Sequence, residues 1–155
     1  LGEGTTFKIY LPRVEVKPED VQASKMDESL RGAETILVVE DDVTVQKVVT
    51  RSLETHGYQV LTASNGNEAI ELAKKREGAI PLVLTDVVMP GMNGRELVEQ
   101  LTAAQPSLKV IYMSGYTDAA VFGRGGVEPG TPFLRKPFQS EVLVEKVREV
   151  LDRAE

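Results

Sequence analysis

Five short apolar runs limit what this chain can fold into: residues 35–39, 59–63, 82–85, 109–113 and 133–135. The first, Ile36-Leu37-Val38-Val39 after Thr35, has the composition of a strand buried on both faces. Between the runs, apolar residues recur at helical spacing. Val45, Val48, Val49 and Leu53 mark one helix, closed by His56-Gly57. A second spans 67–76 with Ala69, Ile70 and Ala73 inward, a third about 95–104, and an amphipathic helix 140–153 ends the chain. Strands alternating with helices at this spacing require parallel pairing and right-handed crossovers, so the fold class is α/β with a doubly wound sheet. One helix is spoiled by Gly123, Gly125, Gly126, Pro129 and Gly130. At ~1 kcal/mol per glycine and ~3 kcal/mol for the proline, a short or irregular fourth helix followed by loop is expected there.

Composition excludes several classes of function. With 155 residues, one domain and a tail can be accommodated, but not two full cores. There is no cysteine, hence no disulfide, thiolate metal site or cysteine nucleophile, as suits a reducing cytoplasmic location. A single histidine, His56, rules out a multi-histidine metal site within the chain and reads as a surface residue at a helix end. The net charge of −6 argues against a broad phosphate-binding surface, so nucleic acid is not expected as a partner. No apolar stretch approaches the ~18 residues of a membrane span, and no membrane contact is expected of this segment.

The first 33 residues have a different character. Phe7, Ile9 and Leu11 alternate with Lys8, Tyr10 and Pro12, as in one half-buried strand. Residues 14–31 are polar and charged and read as linker. A lone strand is no domain, so this segment is expected to be the end of a preceding one.

The chemistry gathers where strands end. Glu40, Asp41 and Asp42 follow the first strand, and Asp86 follows the third. In an open parallel sheet, ligands bind outside the carboxyl ends of the strands where the strand order reverses. If the order is 2-1-3-4-5, Asp41 and Asp86 converge there. Carboxylates so close repel unless a cation lies among them, and hard oxygen donors with room for water suit Mg²⁺. The competing reading makes acids after strands helix N-caps, an even alternative for Asp42 alone but a weak one for the whole set. Ser114 ends the fourth strand and Lys136 the fifth, at the same sheet edge. Lys136 precedes Pro137, which points to a fixed peptide bond there, cis being one option. A carboxylate nucleophile, a divalent cation, a hydroxyl and an ammonium are the set that phosphoryl transfer requires.

These pieces resemble the receiver domain of bacterial two-component response regulators over residues 34–155. The resemblance is carried by Ile36-Leu37-Val38-Val39-Glu40-Asp41-Asp42, by residues 84–94 from Leu84-Thr85-Asp86 to Met92-Asn93-Gly94, by Met113-Ser114-Gly115 and by Lys136-Pro137-Phe138. It implies a flavodoxin-like five-stranded sheet of order 2-1-3-4-5 with helices on both faces. It implies Asp86 as the phosphorylated residue and Glu40 with Asp41 as the acid pair. Mg²⁺ would be bound by Asp41, Asp86 and the backbone carbonyl of Val88. Ser114 and Lys136 would contact the phosphoryl oxygens, and Ser114 and Phe133 would form the switch. The implied donor is a phosphohistidine on a kinase dimerisation domain or a histidine phosphotransfer protein. By position, Val88 and Tyr116 flank the approach of water to the phosphorus and would set how long the phosphoryl group survives.

A second, shorter resemblance concerns residues 2–12. Gly2-Glu3-Gly4-Thr5-Thr6-Phe7 and the residues after it resemble the last glycine box and terminal strand of a histidine-kinase ATP-binding domain. The expected organisation is therefore a kinase remnant at 1–13, a linker at 14–33 and a receiver at 34–155. The implied parent is a hybrid sensor kinase, which can be membrane-anchored, rather than a DNA-binding regulator, since no effector domain follows Glu155. Two rivals differ in class. A phosphatase of haloacid-dehalogenase type expects its nucleophile after the first strand in an Asp-x-Asp pair, which Glu40-Asp41-Asp42 does not supply. An FMN binder of the same fold expects a Ser/Thr/Gly-rich first loop, whereas this one is anionic.

Overall fold

A computed structural model describes residues 4, 7, 8, 10, 28–76, 78–115 and 130–153. Strands β1 (Thr35–Val39), β2 (Gln59–Ala63), β3 (Leu82–Asp86), β4 (Lys109–Ser114) and β5 (Phe133–Arg135) form one sheet in the order β2-β1-β3-β4-β5. Every pairing is parallel; Val39 faces Ala63 on one side and Thr85 on the other, and Asp86 faces Met113. Four helices lie among the described residues: α1 (Val43–Thr55), α2 (Gly66–Lys75), α3 (Gly94–Ala104) and α4 (Ser140–Asp152).

The two-residue period of the strands divides the core between the sheet faces. Ile36, Val38, Leu82, Leu84, Ile111 and Met113 meet α1 and α4 through Val49, Leu53, Leu143 and Val147. Leu37, Val39 and Val83 meet α2 and α3 through Ala69, Leu97 and Leu101 on the other face. At about 1.5–3 kcal/mol for each large apolar side chain removed from water, this two-sided burial is what commits the sheet to its central position. Val48 departs from the expected inward set: it is 60% exposed. Val45, Val49 and Leu53 share one stripe at four-residue spacing, and Val48, one residue before Val49, is turned about 100° from it.

Helix starts and stops follow local chemistry. Asn93 caps α3 reciprocally with Glu96, and Asn65 caps α2. Gly57, at φ 93°, takes the left-handed conformation just after the α1 cap residue His56. Lys109 at the start of β4 donates to the carbonyls of Leu151 and Arg153, closing the end of α4 with a positive charge.

Residues 28–34, just before β1, are tied to the domain. Glu28–Leu30 forms a 3-10 turn, and Leu30 packs on the α1/α4 core. Tyr58 donates to the Leu30 carbonyl at 3.0 Å and the Gly32 amide to the His56 carbonyl at 3.1 Å. Arg148 bridges Glu34 and Asp152. Upstream, Phe7 and Tyr10 are each 86% exposed and lie in no strand, so the half-buried strand is not formed at these positions. The remainder of 1–27, Tyr116 and residues 118–129, where a short or irregular fourth helix is expected, lie outside the described residues.

Candidate functional site

The carboxyl ends of β1 and β3 are neighbours, and one step past the Val39–Thr85 pair the chain reaches Glu40 and Asp86. Carboxylate oxygens of Glu40, Asp41 and Asp86 all lie within 4.8 Å of one another. Lys136, which follows β5, donates to Glu40 Oε2 at 2.6 Å and to Asp86 Oδ2 at 2.7 Å. The Lys136–Pro137 peptide bond is cis. Asp86 Oδ1 accepts from the Val88 amide at 3.2 Å.

Burial decides the electrostatics. Glu40 is 1% exposed, and burial pushes its carboxyl above the usual range despite the Lys136 ammonium beside it. Burial opposes the charge on Lys136 too, yet the hydrogen bonds and charges of Asp86 and Glu40 together outweigh it and hold the ammonium above its usual value. One ammonium thus bridges two of the three carboxylates, and the donor set is all hard oxygen. That deficit of positive charge and that donor chemistry fit a small divalent cation. Asp41, exposed, opens on a cavity of about 450 Å³ lined also by Asn65, Gly66, Pro90, Gly91 and Met92.

The other expected residues divide. Asp42 is a helix cap: Oδ1 accepts from the Thr44 and Val45 amides at 2.7 and 3.2 Å, and these bonds lower its pKa. Ser114 is buried at the end of β4, and its Oγ has no hydrogen-bond partner among the described residues. Its carbonyl accepts from the Lys136 amide at 2.7 Å, which ties the two strand ends together. Phe133 pairs with Tyr112 across β4 and β5 and packs against it, as Val87 does. Val88 is 64% exposed, and Tyr116 lies outside the described residues.

Two contributors escape a reading of strand ends. A Cβ on Gly94 would lie 2.1 Å from the Asp86 carbonyl oxygen, so only glycine lets α3 start against that peptide. Gln46 on α1 donates through Nε2 to the carbonyls of Glu40 and Ala63 at 3.1 and 2.9 Å. The Asn-Gly dipeptide at 93–94 was a visible signal for the first; a glutamine on a helix is none for the second.

A buried acid beside an exposed one, a third acid at the switch point of a 2-1-3-4-5 sheet and a lysine just past the last strand define a class of phosphoacceptor domain. The chain belongs to the response regulator receiver domain family, whose model matches residues 36–148. It is a receiver domain of two-component signalling. Receiver domains bind Mg²⁺ at an acidic pocket and interact with kinases or phosphotransfer proteins in phosphorelays.

It is 35% identical over 161 residues to the sensor kinase CckA of Brucella abortus, an alignment covering 99% of this chain and 17% of that protein. It is 34% identical to the response regulator receiver protein CpdR of the same organism, over 75% of this chain and 95% of that one. Among solved structures, the receiver domain of the hybrid histidine kinase CckA superposes with TM-score 0.63 at 34% identity, covering 76% of this chain and 99% of that one. A response regulator receiver protein from Sinorhizobium medicae gives TM-score 0.68 at 28% identity, covering 77% and 95%. The dehalogenase-type alternative is not supported, because the family that matches is that of response regulator receiver domains. No helix among the described residues is long and apolar enough to cross a membrane.

Proposed function

We propose that Asp86 accepts a phosphoryl group from a phosphohistidine. The observation that carries this reading is the Lys136 ammonium, bonded at once to Glu40 and Asp86. An Asp86 carboxylate oxygen attacks the phosphorus, the O–P bond forms as the N–P bond breaks, and the imidazole nitrogen leaves with the electron pair. Lys136 then exchanges its bond to Asp86 for one to a phosphoryl oxygen, and the unpartnered Ser114 hydroxyl supplies a second donor. Asp41, Asp86 and the Val88 carbonyl are the ligands assigned to Mg²⁺, with Glu40 as second member of the acid pair. When bound, Mg²⁺ neutralises charge on the transferred oxygens.

Phosphorylation adds about two negative charges and new acceptors at this sheet edge. Ser114 turning toward them vacates space beside β5 into which Phe133, half-buried against Tyr112, moves. By sequence position, Val88, two residues after Asp86, and Tyr116, two after Ser114, are assigned to setting the lifetime of the acyl phosphate. The phosphodonor is a histidine-kinase dimerisation domain or a phosphotransfer protein.

The parent is a cytoplasmic-facing hybrid histidine kinase, with residues 1–13 a remnant of its ATP-binding domain and 14–33 a linker. The alignment with the sensor kinase supports this, since it runs over 99% of the chain, well beyond the family match at 36–148. Incubation with Mg²⁺ and acetyl phosphate, followed by intact mass and peptide mapping, tests the assignment. One phosphate is expected at Asp86 and none in Asp86→Asn; labelling of Asp86→Asn at the wild-type rate refutes it.

A further inference from the structure

We infer that Gln46 is a positioning residue for the acid pair, an inference that rests on the site assignment just given. The β1–β2 ladder ends at the Val39–Ala63 pair. One residue further on, the Glu40 amide still reaches the Ala63 carbonyl at 3.1 Å, but the chain then turns into the Asp42 cap of α1. The Glu40 carbonyl is left without a strand partner at the point where a ladder would have supplied one. Gln46 fills that role from the first turn of α1. Its single Nε2 carries two hydrogens, and the contacts at 3.1 Å to the Glu40 carbonyl and 2.9 Å to the Ala63 carbonyl use both.

The consequence falls on Asp41. The Glu40 carbonyl belongs to the peptide that joins Glu40 to Asp41, so holding that oxygen fixes the plane from which the Asp41 side chain departs. The Glu40 end is held by burial and by Lys136; the Asp41 side is exposed. Gln46 thereby orients a proposed metal ligand without touching the metal, as outer-shell partners do. Neither the Glu40 nor the Ala63 carbonyl can be satisfied equally by a methionine of the same length, and a glutamate there repels both.

Mg²⁺ affinity read by isothermal titration calorimetry separates positioning from mere stability. Gln46→Met and Gln46→Glu are expected to raise the Kd for Mg²⁺ about tenfold, at the lower end of the 10–100-fold typical of outer-shell substitutions. Val49→Ala, which removes core volume from the same helix, serves as the control. It is expected to lower the urea midpoint while leaving the Kd of the folded protein within twofold of wild type. Gln46→Met folded by circular dichroism with an unchanged Kd overturns the inference. A Kd that rises equally in Val49→Ala also overturns it, since the effect is then one of stability. Wild-type protein that binds no Mg²⁺ and takes no phosphate instead overturns the site assignment itself.

Discussion

The Lys136 ammonium donates to the Asp86 carboxylate at 2.7 Å, joining residues fifty positions apart at the carboxyl ends of β5 and β3. The lysine is 18% exposed and also neutralises Glu40, which is sealed from solvent. A buried carboxylate that loses the cation beside it either keeps an unpaired charge or takes up a proton.

Lys136→Met is therefore expected to destabilise the domain by about 1–3 kcal/mol, below the 3–5 kcal/mol of a fully sealed pair because Glu40 can protonate. It also removes a donor to the phosphoryl group. Urea unfolding at neutral pH reads the first effect and acetyl phosphate labelling the second. Unchanged stability shows that the bridge is not what holds Glu40.

Glu40 gives a pH dependence of definite sign. Burial, reinforced by the Asp86 charge and opposed by Lys136, raises its carboxyl above the ordinary value of 4.5, so the folded state binds this proton more tightly than the unfolded chain. The stabilisation is complete below 4.5 and is lost as pH rises through the raised value. Asp42, with its lowered pKa, acts the other way and loses its contribution as pH falls. Comparison with Glu40→Gln isolates the first group. In Mg²⁺-free buffer the urea midpoint of Glu40→Gln should gain on wild type as pH rises from 4.5 to 7. A gap independent of pH would falsify this assignment.

Strand ends were legible because the chemistry there is written in contiguous letters. Glu40-Asp41, Asp86, Ser114 and Lys136 each stand at the carboxyl side of an apolar run, and parallel pairing brings them to one edge. Val48 was misplaced because three valines in five positions blur which stripe faces inward. Gln46 was invisible for a different reason: a polar residue on an amphipathic helix has the same local pattern whether it meets water or two strand carbonyls. The docking of Leu30 on the core was equally hidden, since one leucine in a charged stretch carries no period.

Gly94 sets a steric limit. Alanine has the better helix propensity by about 1 kcal/mol, which alone predicts stabilisation of α3. Its Cβ, however, would stand 2.1 Å from the Asp86 carbonyl oxygen and 3.2 Å from Thr85 Oγ1, both fixed by the sheet. Crowding against backbone prevails, so Gly94→Ala should cost about 1–3 kcal/mol and slow labelling of Asp86. Chemical denaturation decides between the two effects; greater stability in the variant shows that α3 can slide away at no cost.

The lifetime of the acyl phosphate is set by what surrounds the line of attack. Hydrolysis needs a water opposite the breaking O–P bond, held by a group able to orient it. Val88 stands two residues past Asp86, its amide bonded to Asp86 Oδ1 and its side chain 64% exposed. The isopropyl group offers no acceptor, so a water there is not oriented, and autodephosphorylation is expected to be slow. Such a lifetime suits a phosphoryl group that is stored or returned to a histidine. Val88→Asn introduces an amide that can hold the water without acting as a base. The decay rate should rise about 3- to 10-fold, well short of the 10²–10⁴ of full general-base catalysis. Adding Tyr116→Glu should accelerate it further. Decay of the purified phosphorylated protein, followed by intact mass, measures both, and a rate unchanged or slower in the double variant removes Val88 and Tyr116 from the control of lifetime.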